Sequence, residues 1–373
     1  MFNRPSGEDK QSSCSSQLEK YRIPSTTFCV NDPTRVVENF RDIIGYGCDS
    51  LVVGSKFNGK DVAVKCFREQ KRYDYGIARY LEKIRREVTA MVELQSPRIV
   101  ELIGFVKVPK KNEPEETELK TMESIIDKPL NDDYLPQQTQ IVMKRYVGSL
   151  SGYLQDSKNT VTLEQQLTWA MQVSEGVAHI HGKGWLHGDL KCDNVYFDGE
   201  NVVIADFGFA CRASDTNNLL VDDNNKYISP GLYHNFTDGP SISEDIYRLG
   251  TVLWEIVTKK TPFHEYSDDD IDLRFDTNTM KPDTVPEDCP EVLKKIIQEC
   301  WENYNDPLKC PSAKDIATRL RKAVDALHSS TKDLSTGDTE LVGEKSRLFK
   351  SAPSEVTPHK ETDLDLFRNL TSS

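Results

Sequence analysis

The spacing of apolar positions changes along the chain. From Ile43 to Val64 they come in short runs (Ile43-Ile44, Leu51-Val52-Val53, Val62-Ala63-Val64), separated by Gly45-Tyr46-Gly47 and by Asn58-Gly59. Such runs predict an antiparallel meander of three strands, because Asn-Gly supplies the positive φ a tight hairpin needs. The period then becomes helical. Ile84, Val88, Met91 and Val92 fall on one face of a segment running from about residue 75 to Leu94, and Ser96-Pro97 ends it. Strands over 99–106 and 140–146 complete a strand-rich half.

From Gly148 onward helical spacing dominates. Leu163, Leu167, Ala170, Val173, Val177 and Ile180 step by three and four, which predicts a long helix over 163–181. A short hairpin is expected through 195–197 and 202–205, then helices over 242–258, 291–301 and 313–327. A strand-rich half followed by a helix-rich half predicts an α+β fold of two lobes. The expected boundaries are a flexible tail over 1–36, a smaller lobe over 37–147, a larger mainly helical lobe over 148–328, and a second flexible tail over 329–373. The stretch 109–138 is dense in Lys, Glu, Asp and Pro and reads as an exposed insert in the smaller lobe.

Composition narrows the partners. The 373 residues carry a net charge of −13, which argues against nucleic acid as a partner. No apolar run is long enough to span a bilayer. The nine Cys are scattered without a C-x-x-C pair, which reads as free thiols in a reducing compartment. A cytoplasmic protein without membrane insertion is the expectation.

The chemistry concentrates in His187-Gly188-Asp189-Leu190-Lys191-Cys192-Asp193-Asn194. An Asp can orient and deprotonate a hydroxyl, a Lys two residues on can neutralise a moving phosphoryl group, and an Asn amide oxygen is a hard ligand for Mg²⁺. Upstream, Gly45-x-Gly47-x-x-Ser50-x-Val52 gives a turn with bare backbone, as draping over a triphosphate requires. The octet resembles the catalytic loop of protein kinases, and the glycine turn resembles their phosphate-covering loop, with Ser50 in place of a third Gly.

Other segments carry the same resemblance at matching spacing. Val62-Ala63-Val64-Lys65 is similar to the family's third strand. By that likeness Lys65 holds the α- and β-phosphates, Val52 and Ala63 pack on the adenine, and Glu87 pairs with Lys65, with Glu82 the weaker candidate. Asp206-Phe207-Gly208 resembles the family's second metal-binding turn. It implies that Asp206 joins Asn194 on Mg²⁺ (or Mn²⁺), with Phe207 in an apolar column with His187, Met91 and Leu102. Ser243-Glu244-Asp245-Ile246-Tyr247-Arg248-Leu249-Gly250 resembles the helix whose buried Asp supports the catalytic loop, so Asp245 is expected to be structural. Cys300-Trp301 followed by Pro311-Ser312 resembles the closing signature of tyrosine kinases and the tyrosine-kinase-like group. The chain therefore looks like a bilobal protein kinase of the tyrosine-kinase-like group. The resemblance implies ATP as phosphate donor and Ser or Thr hydroxyls of proteins as acceptors. A nucleotide-binding scaffold without transfer is the alternative, as is Tyr or dual specificity.

The sequence also departs from the family. Gly188 stands where most members have Arg, which removes the charge partner for a phosphate on the activation segment. Gly231 and Cys310 stand where the family places a buried Glu–Arg pair, and losing both charges together can be near neutral. Asn224 replaces a Thr that bridges the catalytic Asp and Lys. Met143 is expected at the back of the adenine pocket, beside a short hinge, Lys144-Arg145-Tyr146. Cys48 and Cys192 are expected at the border of the nucleotide site, and Ser214, Thr216, Tyr227 and Ser229 as surface hydroxyls open to phosphorylation. In the tail, Arg347 to Pro353 resembles a ligand of 14-3-3-type adaptors, phosphorylated at Ser351, and residues 363–370 read as a fraying end, with a short docking helix as the alternative.

Overall fold

The computed structural model describes residues 36–46, 50–57, 59–67, 84, 86–107, 139–215, 226–234, 239–266, 284–304, 306 and 308–335. Both ends of the chain, the insert over 109–138, and Gly47, Cys48, Glu82, Thr216, Asn224 and Ser351 lie outside the described residues. Strands β1 (Val36–Tyr46), β2 (Ser50–Phe57), β3 (Lys60–Phe67), β4 (Leu102–Lys107) and β5 (Thr139–Lys144) form one antiparallel sheet in the order β1-β2-β3-β5-β4. Phe57 pairs with Lys60, so the β2–β3 hairpin closes at Gly59, whose φ is +77°.

Register sorts the two faces of this sheet. Val52 pairs with Lys65, and Ala63 pairs with Met143. Residues opposite each other share a face, as do residues two apart, so Val52, Ala63, Lys65 and Met143 lie on one face. Val53, Val62, Val64 and Val142 lie on the other and make a separate apolar cluster. Met143 instead packs against the main core of the helical half. The first face therefore looks toward the helices, with helix α1 (86–93) against it.

The helical half contains α2 (Leu150–Gln155), α3 (Leu163–Gly182), α4 (Pro230–His234), α5 (Ile242–Thr258), α6 (Glu291–Glu302) and α7 (Ala313–Ser335). Thr162 and Gln165 cap α3 reciprocally, satisfying two amides its first turn would otherwise leave unpaired. Strands β6 (Gly148–Ser149), β8 (Val195–Phe197) and β9 (Val202–Ile204) form a small sheet, and β7 (Trp185–Leu186) pairs with β10 (Cys211–Arg212). Ile204 binds across to the other half: its N–H donates to Arg98 O at 2.9 Å, and its carbonyl accepts from Val100 N–H at 2.8 Å.

Helix α5 is buried without a break from Glu244 to Ile256. A helix enclosed on every side is the centre of its domain, and here its charged residues must find partners inside. Helix α7 overruns its expected end at Leu327 and continues through Ser335. Its extension is polar, but His328 reaches Glu164 of α3 at 2.8 Å and Ser329 Oγ donates to Asp325 O. The helix therefore ends later than its apolar spacing predicts.

Two expected surface hydroxyls are buried instead. Ser229 is 2 % exposed, and so is Tyr227, whose hydroxyl donates to Glu255 Oε1 at 3.0 Å. Burial pushes the Glu255 carboxyl from its ordinary 4.5 up to about 8. A folded-state value above the unfolded one adds stability that is complete at low pH and is lost as pH rises through the folded value. Thermal melts of the wild type between pH 5 and 9 should lose stability with rising pH, and Glu255→Gln should flatten that slope.

Candidate active site

The site is built on the Asp245 carboxylate of α5. Its Oδ2 accepts the His187 N–H at 2.9 Å and its Oδ1 accepts the Gly188 N–H at 3.0 Å. His181 of α3 contacts Oδ2 at 2.9 Å. Burial by itself would raise the Asp245 carboxyl, but the His181 and His187 bonds outweigh it and hold the group below its usual range. The chain before Asp189 is thus pinned to the helix at the centre of the domain.

Two further features fix the loop's shape. His187 is fully buried, and that burial holds its imidazole neutral by lowering its pKa. Its Nδ1 accepts the Asp189 N–H at 3.2 Å, so the proton sits on Nε2, which donates to Ala205 O at 3.1 Å. Gly188 has φ +77°, and a Cβ there would lie 2.6 Å from the Phe209 carbonyl oxygen. The position where relatives of this motif carry Arg is thus one that this backbone keeps for glycine.

The Asp189 carboxylate is 3 % exposed and closely attended. Lys191 Nζ is 2.8 Å from Oδ2, and Asn194 Nδ2 donates to Oδ2 at 2.9 Å and to the Asp189 carbonyl at 2.7 Å. With its amide nitrogen committed to Asp189, Asn194 has its amide oxygen left to offer a cation. The Ala205 N–H donates to the Asn194 carbonyl at 2.8 Å, and Val195 pairs with Ile204. That register sets Asn194 opposite Ala205, the neighbour of Asp206, so the two expected metal-binding residues come together.

The sheet contributes the other half of the site. Lys65 Nζ lies 2.6 Å from Glu87 Oε1 and 2.9 Å from Asp206 Oδ1. Glu87 is 2 % exposed, so the expected partner on α1 is the one used. Burial would lower the Lys65 pKa, but Asp206 and Glu87 overcome it and raise it above the usual lysine value. Burial likewise acts to raise the Asp206 carboxyl, and Lys65 reverses that, holding it at about 2. Asp206 has φ 61°, a left-handed conformation unusual for Asp, and its side chain also accepts from Gly208 N–H at 3.4 Å. Phe207 is fully buried with its ring centroid 5.2 Å from that of His187, and Met91 and Leu102 belong to the same apolar cluster.

The remaining expectations divide. Gly45 pairs with Val52 at an irregularity in β1, and Ser50 is buried. Cys192 does not border an open site. It is fully buried, its thiol points to Val252 O of α5, and burial raises its pKa well above the ordinary value. The sequence reading passed over Arg248 and Glu244. Arg248 Nη1 lies 3.6 Å from Asp189 Oδ1 and its Nε lies 3.3 Å from Glu244 Oε1. An Arg directly before the mainly apolar stretch Leu249 to Ile256, four residues after a Glu, was the available signal.

Gly188→Ala should cost about 1–3 kcal/mol, because it forces Cβ into a left-handed residue against backbone. Chemical denaturation of the variant beside wild type measures this, and an unchanged midpoint would contradict the close approach to Phe209.

Comparison with known proteins agrees with this geometry. The family model described as protein kinase domain matches residues 39–322. A probable LIM domain-containing serine/threonine-protein kinase of Dictyostelium discoideum is 27 % identical over 292 residues, covering 77 % of this chain and 39 % of the relative. From the same organism, the probable serine/threonine-protein kinase pats1 is 28 % identical over 301 residues (77 % of this chain, 8 % of the relative). The dual specificity protein kinase shkC is 27 % identical over 295 residues (76 % and 50 %). This chain spans half or less of the length of these relatives. The match across both lobes and the ion-paired cleft between them make the chain a member of the protein kinase domain family.

Proposed function

We propose that this kinase transfers the γ-phosphoryl group of ATP to Ser or Thr hydroxyls of protein substrates in cytoplasmic signalling, as a member of the tyrosine-kinase-like group. The observation that carries the reading is the convergence of Lys191 and Asn194 on the Asp189 carboxylate, beside the Lys65–Glu87–Asp206 ion chain. The residues fit the cofactors. Val52 and Ala63 present short apolar side chains on the sheet face that also carries Lys65. Asn194 and Asp206 offer hard oxygen donors that would hold Mg²⁺ or Mn²⁺. When bound, the cation shields the charge of the transferring group.

The chain's own residues then have distinct tasks. Lys65, steadied by Glu87, binds the α- and β-phosphates. Asp189 orients the acceptor hydroxyl and takes its proton as the new P–O bond forms and the β–γ bridging bond breaks. Lys191 offsets the negative charge on the phosphoryl oxygens, acting from a fixed position that needs no reorganisation. The names of the relatives favour Ser and Thr, while shkC, named as dual specificity, keeps Tyr within reach. Among the described residues no helix is long and apolar enough to cross a membrane. Docking of a 14-3-3-type adaptor at phosphorylated Ser351 rests on the tail sequence alone.

Phosphate transfer from Mg²⁺-ATP to a generic protein mixture tests the reading. Wild type should label Ser and Thr on phosphoamino-acid analysis. Asp189→Asn and Lys65→Met should each lower the rate by about 10²-fold or more. Nucleotide binding with no transfer by wild type would favour a scaffold.

A further inference from the structure

The mechanism above leaves unexplained a charge in the middle of the helical core. Arg248 is fully buried. Among the described residues, none of its three guanidinium nitrogens makes a hydrogen bond. Its compensation is ionic and comes from two sides: Glu244, one turn earlier on α5, and Asp189 in the catalytic loop. A buried guanidinium without hydrogen bonds is unfavourable in a core that apolar residues could fill, so packing does not account for it.

The contacts continue in both directions. The Glu244 Oε1 that faces Arg248 also accepts the Ser229 N–H at 3.0 Å. Ser229 Oγ in turn accepts the Leu232 N–H at 3.2 Å, setting the first turn of α4. At the other end, Lys191 and Asn194 hold Asp189 by Oδ2, while Arg248 faces Oδ1. A carboxylate attracted at both oxygens has a defined rotation about its Cβ–Cγ bond, and a proton acceptor requires a defined orientation.

We infer that Arg248 is a positioning residue for phosphoryl transfer: held by Glu244, its guanidinium fixes the orientation of the Asp189 carboxylate and ties it to the seating of Ser229 at the start of α4. The inference rests on the kinase reading above. Its consequence is that displacing the segment ahead of α4 loosens Asp189 through Glu244 and Arg248, so the two ends of the acceptor site respond together.

The test combines kinetics and melting on the full chain for Arg248→Met, Arg248→Lys and the double variant Glu244→Gln/Arg248→Met. Arg248→Met should lower kcat by about tenfold or more while the KM for ATP stays within about twofold. Its melting temperature should also fall, because Glu244 is left buried beside a neutral group. Removing both charges should restore the melting temperature toward wild type without restoring kcat. Arg248→Lys should retain part of kcat. The inference is overturned if Arg248→Met keeps wild-type kcat, or if the double variant regains kcat along with its melting temperature. A wild type that transfers no phosphate in the same assay overturns the kinase reading itself, and this assignment with it; that outcome is visible before any variant is compared.

Discussion

Everything in the site depends on one buried carboxylate accepting two backbone amides. Asp245 takes the N–H groups of His187 and Gly188 onto its two oxygens. A charged acceptor makes each such bond worth about 1.5–3 kcal/mol, more than a neutral pair contributes. That attachment sets the direction in which the chain leaves β7. Asp189, Lys191 and Asn194 then fall around one another within hydrogen-bond reach. The neutral imidazole of His187, bonded at both ring nitrogens, stiffens the same turn. The loop is irregular in backbone, yet its anchor lies inside a buried helix.

The second constraint joins the lobes. Lys65 stands on the sheet, Glu87 on α1 and Asp206 in the loop after β9, so one ammonium group bridges three elements. Removing Lys65 would take this ion pair from the buried Glu87 carboxylate, at a cost of about 3–5 kcal/mol. The left-handed backbone of Asp206 persists within this network, where the ion pair and the buried Phe207 hold it on both sides.

Much of this was legible in the sequence, for identifiable reasons. The three-and-four stripe from Leu163 to Ile180 gave α3, and the Gly and Asn-Gly punctuation gave the meander, because local rules and the fold agree there. Spacing singled out Lys65, Glu87 and Asp206, which are far apart in sequence and ion-paired in space, and Asp189 and Asn194, five positions apart and hydrogen-bonded. What remained hidden depended on burial. Composition makes Tyr227 and Ser229 polar loop residues, but Glu255 and Glu244 draw them inside. Cys192 lies next to Lys191 in sequence, yet its side chain points away from Asp189, into α5. Arg248 carried no expectation, because periodicity on a helix buried all round marks no separate inner face. Helix α7 outran its apolar stripe, and His328 just past that stripe reaches Glu164 of α3 at the surface.

Native-state amide hydrogen exchange would test the anchoring role of Asp245 most directly. If its carboxylate holds the loop, the His187 and Gly188 amides should exchange as slowly as the interior amides of α5, opening only when the domain unfolds. Asp245→Asn should accelerate those two amides before it affects α5. Exchange of His187 and Gly188 at the rate of a surface turn in the wild type would show that the loop is not held from α5, and the account built on that anchor would be wrong.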